Sequence, residues 1–182
     1  MPREQRMITR DDLMSLEDYE LIRKDKKQEG LLRKKYTRLA IGPHAMLTFE
    51  SWDSMWLQVQ EMLSIEKGGE AQIADELEAY NPMVPNGSEL TATLMFEIED
   101  PIRRDRFLRT IGGVEEHVFL VRTSAEGKAS AVQFLHFPMD ETHLTAWHDT
   151  NSQAMVEINH PNYGHAALIN ADTRNFLTRN CF

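Results

Sequence analysis

Four side chains in this sequence have the chemistry of a proton-transfer or metal site: Glu61, Glu66, His136 and His160. Glu66 stands out because the segment that carries it has the apolar spacing of a core-facing helix. At about 100° per residue it falls within about 20° of Met55, on the face of Val59 and Met62. A carboxylate there is expected to be partly desolvated and to sit at a helix C-terminus, where the dipole disfavours negative charge. Both conditions favour the protonated form that a general acid uses. If the final turn instead leaves the core, Glu66 is wet or paired with an arginine.

Five of the seven histidines, His136, His143, His148, His160 and His165, lie in one C-terminal stretch. Imidazoles converging on a point would make a metal site, but the spacing argues against convergence. His143 and His148 fall about 140° apart on a helix. Glu157 and His160 match the Glu-x-x-His pattern of di-iron helices, yet they lie in a run with strand alternation, where residues three apart face opposite sides. His136 shares a strand face with Val132 and Phe134 and is expected to be a core or boundary histidine. The sequence contains no phosphate-binding Gly-x-x-x-x-Gly-Lys, dinucleotide-binding Gly-x-Gly-x-x-Gly, Gly-x-Ser-x-Gly elbow or His-Glu-x-x-His. The lone cysteine, Cys181, excludes a disulfide framework and a cysteine-ligated cluster within one chain. Its terminal position makes it a poor nucleophile candidate.

The elements that must position these groups are legible. Thr9 and Ser15 each precede an acid by three residues, the signature of a helix start. The helix after Ser15 is expected to pass through Tyr19 and Ile22 and reach Gly30 or Lys35, with acids first and bases last. Gly42-Pro43-His44 separates two short apolar runs, 38–41 and 45–49, as in a β-hairpin. Ser51 then caps a helix over 52–67, Gly68-Gly69 stops it, and a second helix over 70–81 follows closely enough to be its neighbour. From Leu90 to Ile98 the period changes to two, the clearest strand in the chain. Asp100-Pro101 supplies a cap and a first-turn proline for a helix through Phe107. Runs at 118–121 and 131–137 read as antiparallel strands joined by a loop containing Gly127. Residues 139–149 form a helix, 154–158 and 166–169 pair across the turn at 160–164, and Asp172 caps a last helix.

The expected architecture is therefore α+β: an antiparallel sheet from the C-terminal half packed against N-terminal and central helices. It divides into a basic helical arm (1–36), a hairpin plus helical hairpin (37–87) and a sheet with short helices (88–182), all in one domain. A chain of 182 residues can bury a substantial core. The net charge of −9 disfavours nucleic acid as the main partner, although the charge is uneven. Residues 1–38 hold 11 bases against 8 acids, a net of +3, while the remainder holds 9 against 21, a net of −12. Lys26, Lys27, Lys34 and Lys35, with Arg23, Lys24 and Arg33, form an arm that could contact an acidic partner or RNA. There is no apolar run long enough for a membrane span and no apolar signal core at the N-terminus, so a cytoplasmic location is expected.

The segments Gln58–Glu66, Glu76–Gly87 and Gly127–Phe137, with Ile8–Leu13 and the turn Asn159–Tyr163, resemble the bacterial "domain of unknown function 3501" family over nearly the whole chain. The family has no established activity or catalytic residues to carry over. Its members are often encoded beside a rubrerythrin-like protein and an iron–sulfur oxidoreductase, so the resemblance implies a link to redox metabolism and one of those proteins as partner. Other members are expected to carry a longer segment where only Arg122 to Glu126 intervene here. The leading expectation is an accessory protein of a redox or oxidative-stress system. The rival is a metal-dependent enzyme using Glu61 or Glu66 with His136 and His160. No cofactor is specified by the residues.

Overall fold

The structure is a computed structural model that describes residues 6–120, 123–124, 132–149 and 151–182. A short 3₁₀ turn at Arg10–Asp12 leads into helix α1 (Leu16–Thr37), and both expected starts are present: Thr9 forms a capping box with Asp12, and Ser15 accepts from the Asp18 backbone N–H. α1 runs through Gly30, where an added Cβ would meet Leu57 Cδ2 at 2.9 Å. The glycine stays inside the helix because α2 (Trp52–Glu66) crosses so close.

Strands β1 (Arg38–Ile41) and β2 (Ala45–Phe49) form the expected hairpin, and β2 continues to β3 (Glu89–Phe96) and then to β6 (Val132–Pro138), all antiparallel. A second antiparallel sheet has the order β5 (Thr123–Ser124), β4 (Val118–Leu120), β7 (Ala154–His160), β8 (Tyr163–Ile169). The α+β class with antiparallel sheets is thus what the chain forms, and the early hairpin supplies half of the first sheet. One pairing differs from expectation. The runs at 118–121 and 131–137 do not pair with each other: β4 joins β7 and β6 joins β3. Short strands close in sequence carry no register information by themselves, and their partners are set by which inward faces complete a core. The expected connection Arg122–Glu126 and the loop with Gly127 lie outside the described residues, apart from 123–124.

Inward residues of both sheets, among them Leu47, Leu94, Phe137, Val156 and Ile158, build one large core. Trp147 of α5 (Glu141–His148) joins it, as do Leu177 and Cys181 of α6 (Ala171–Cys181). The cap of α6 is Asn170, which accepts from Thr173 N at 2.8 Å, rather than the expected Asp172. Asn is an equally good cap, and the position is decided by where β8 ends. A second, smaller core joins α2 to α3 (Gly69–Tyr80) through Met55, Val59 and Leu63, and Ile8 and Leu13 close it from the N-terminal side. α2 does not end on a glycine: Lys67 takes the left-handed conformation at φ 56°, and Gly68 already caps α3. The remaining helix, α4 (Pro101–Leu108), begins at Asp100 and Pro101 as the sequence requires.

Candidate functional site

Glu61 has the richest surroundings of the four candidates. It sits where α1 crosses α2, its side chain 16% exposed. Its carboxylate accepts from Tyr19 Oη at 2.8 Å, Arg23 Nε at 2.8 Å and Lys27 Nζ at 3.1 Å. The Arg23 hydrogen bond, aided by those of Tyr19 and Lys27, outweighs desolvation and holds the carboxyl down at about 2. Burial, then the hydrogen bond to Glu61, pushes the Tyr19 phenol up. A carboxylate so firmly ionised accepts no proton near neutrality, so the group acts as a clamp between two helices.

Glu66 lies elsewhere. The last turn of α2 leaves the core and Glu66 is exposed, with Oε2 accepting from Gln72 Nε2 at 3.0 Å. The expected desolvation is absent because the apolar stripe ends at Leu63. The first half of the lysine arm is engaged as well. Lys26 pairs with Glu29 at 2.9 Å, Lys27 with Glu61, and Arg23 with Glu61 and Glu20. Lys34 and Lys35 are exposed near the end of α1. Internal pairing reduces the charge available to a phosphate backbone.

His136 and His160 belong to different sheets. His136 Nδ1 lies 3.2 Å from Glu89 Oε2 on the outer face of the first sheet, opposite the buried face of Gln133, Leu135 and Phe137. Val132, Phe134 and His136 therefore face away from the main core, on a side that is covered at Thr91, which is fully buried and bonds Met83 O, and open at Val132 and Phe134. His160 is buried at the end of β7, its ring 5.1 Å from that of His117, and Nδ1 accepts from Asn162 N at 3.2 Å. Glu157 is exposed while His160 is buried, so the Glu-x-x-His match places its two groups on opposite faces. Among the described residues, no three His, Cys, Asp or Glu side chains could together hold a metal ion.

Two groups escaped the sequence. Glu50, just ahead of α2, is buried, its carboxylate bridging α2 and β3 by accepting from Ser54 Oγ at 2.6 Å and Thr93 Oγ1 at 2.7 Å. Burial raises its proton affinity against the pull of those bonds and of nearby Lys34 and Arg33. Cys181 is fully buried rather than loose, its Sγ 3.5 Å from the Glu50 carbonyl oxygen, and burial pushes the thiol up to about 12. It is unreactive for want of ionisation and access. The only available signal for Glu50 was a carboxylate at a strand end, four residues before a hydroxyl, which is too common to single out.

The turn Asn159–Tyr163 proves to be a joint between the sheets. The Tyr163 hydroxyl donates to Ile41 O at 2.7 Å and accepts from His44 N at 3.0 Å and Ala45 N at 2.9 Å, tying the first hairpin to β8. Gly42 is required there: φ is +69°, and a Cβ would meet the His165 ring at 2.5 Å. Asn162 Nδ2 donates to Thr110 O at 2.7 Å, fixing the end of α4 beside the same joint.

No curated protein matches the chain significantly. A crystal structure of a novel protein of unknown function from Burkholderia pseudomallei K96243 is 34% identical and superposes with a TM-score of 0.88, covering 95% of this chain and 98% of that one. The family described as "Protein of unknown function (DUF3501)" matches residues 7–181. On both grounds, the chain belongs to the DUF3501 family.

Proposed function

We propose that the protein is an accessory subunit of a bacterial redox or oxidative-stress system, docking a partner protein through the outer face of its first sheet. The observation that carries a docking role is the exposure of that face at its Met95 end, away from the buried Thr91. Met95 is 45%, Phe134 45% and Val132 36% exposed, and the register sets Met95 opposite Val132 and Thr93 opposite Phe134. Large apolar side chains grouped on one face are a contact signature, whereas scattered ones are not. The candidate chemical groups support the same role. Glu61 is a structural clamp, His136 and His160 lie in separate sheets, and no described donor set suits a metal.

The redox character of the partner, a rubrerythrin-like protein or an iron–sulfur oxidoreductase, rests on what the family resemblance implies, and its cytoplasmic setting on the expectation from the sequence. The test is retention of each protein on the immobilised chain at low salt. Wild type is expected to retain one of them, M95E/F134D to lose it, and Leu168→Glu, at an exposed position of the second sheet, to keep it. Retention of neither protein by wild type, or equal retention by the face variant, overturns the proposal.

A further inference from the structure

Beside the joint, a hollow of about 320 Å³ is lined by His44, Ile98, Arg103, Arg106, Phe107 and Thr110. We propose that it binds a small phosphomonoester with an apolar or aromatic body.

The charge comes from the three arginines of α4 and from Arg109 just past its end, and the four are differently employed. Arg109 pairs with Asp105 at 2.9 Å, and Arg104 reaches Ile98 O at 3.3 Å. Arg103 and Arg106 have no side-chain hydrogen bond or ion pair among the described residues. Three positions apart, they share a helix face, and that face borders the hollow. The neighbouring acids are occupied or turned away. Glu97 is paired with Arg38, Asp100 accepts from Arg103 N at 2.7 Å as the helix cap, and exposed Glu99 does not line the site. Without acidic partners among the described residues, these two guanidinium groups leave uncompensated positive charge beside the hollow.

The wall is rigid. His44 is held by its N–H to Tyr163 and by its carbonyl, which accepts from Glu97 N at 2.8 Å. Its ring meets Phe107 edge-on at 5.3 Å, and Phe107 packs in turn against Phe96 at 5.3 Å and Tyr163 at 5.5 Å. The Thr110 carbonyl is fixed by Asn162. The site thus joins preset apolar surface to a few convergent donors, at the small end of ligand-pocket volumes, which begin at roughly 300 Å³. Two guanidinium forks and an imidazole offer more donors than the two oxygens of a carboxylate can accept. A phosphoryl group, with three terminal oxygens, matches them better.

Titration with phenyl phosphate, followed by the His44 and Phe107 ring resonances, tests the site. Saturable shifts of both rings are expected, with inorganic phosphate and benzoate weaker. R103Q/R106Q is expected to raise the Kd by at least about tenfold, as for loss of a charge-assisted bond, and Arg104→Gln to leave it within about twofold. All three arginines are exposed, so the variants should fold. The assignment is overturned if no saturable shift appears, if benzoate binds as tightly as phenyl phosphate, or if the double variant binds like wild type.

Discussion

Glu50 precedes α2 and Glu61 lies on it, and the two belong to regions held together by opposite means. In the helical region, α1 lies across α2 through charge: Arg23 and Lys27 meet Glu61, and Arg10 meets Glu70 at 2.7 Å near the start of α3. Its apolar core is the smaller of the two. The double sheet is held by a continuous apolar core and by one neutral polar knot, the Tyr163 hydroxyl. A carboxylate in the first region has cations within hydrogen-bonding reach and is held ionised. In the second it has only hydroxyls within that reach and favours its proton. The two carboxylates differ in depth as well as in partners: desolvation dominates at the more deeply buried Glu50, and the cations that reach Glu61 dominate there.

Removing the knot should have the largest effect. Tyr163→Phe leaves the Ile41 carbonyl and the His44 and Ala45 N–H groups without their partner. Urea unfolding is expected to register a loss of about 2–3 kcal/mol; a loss under about 0.5 kcal/mol would mean that the apolar core alone joins the sheets. Glu61→Gln comes next, at about 2 kcal/mol near neutral pH. Because the folded pKa lies below the ordinary value, the clamp contributes fully above that value and is lost as pH falls towards about 2. The difference between variant and wild type should therefore shrink in acid, and a difference independent of pH would contradict the clamp. The third effect has the opposite sign. Glu50 binds its proton more tightly when folded, so its contribution is fully present below the unfolded value and declines as pH rises through the folded one. Glu50→Gln should be more stable than wild type near neutrality and lose that advantage in acid. Glu66→Gln, at an exposed position, serves as the control and should change stability by less than about 0.5 kcal/mol.

Local elements were readable where local physics suffices. Ser15, Ser51 and Asp100 begin helices because a side-chain oxygen satisfies a backbone N–H left bare by the helix itself, which needs no distant residue. Gly42-Pro43-His44 turns the first hairpin for a similar reason, and the alternation from Leu90 to Phe96 predicts a strand with one buried face. Less of the candidate site was legible. The wheel placed Glu66 on an apolar face but could not show that the core ends a turn earlier. Period two grouped His136 with Val132 and Phe134 but could not say which side of the pleat faces inward. Glu61 was legible as a carboxylate on α2, whereas its bonds to Tyr19, Arg23 and Lys27 depend on how α1 crosses.

By itself, then, the sequence determined the α+β class, most element boundaries, the charge imbalance between the N-terminal arm and the rest, and the family. These depend on periodicity, capping and composition, which act over a turn of helix or a few strand residues. Tertiary structure alone decided that the sheets are two, that β4 and β6 part company, that Cys181 is buried, and that Arg103 and Arg106 border a hollow built around His44 and Phe107. Each of these joins residues far apart in the chain, and such contacts follow from which apolar faces can be buried together rather than from any local preference.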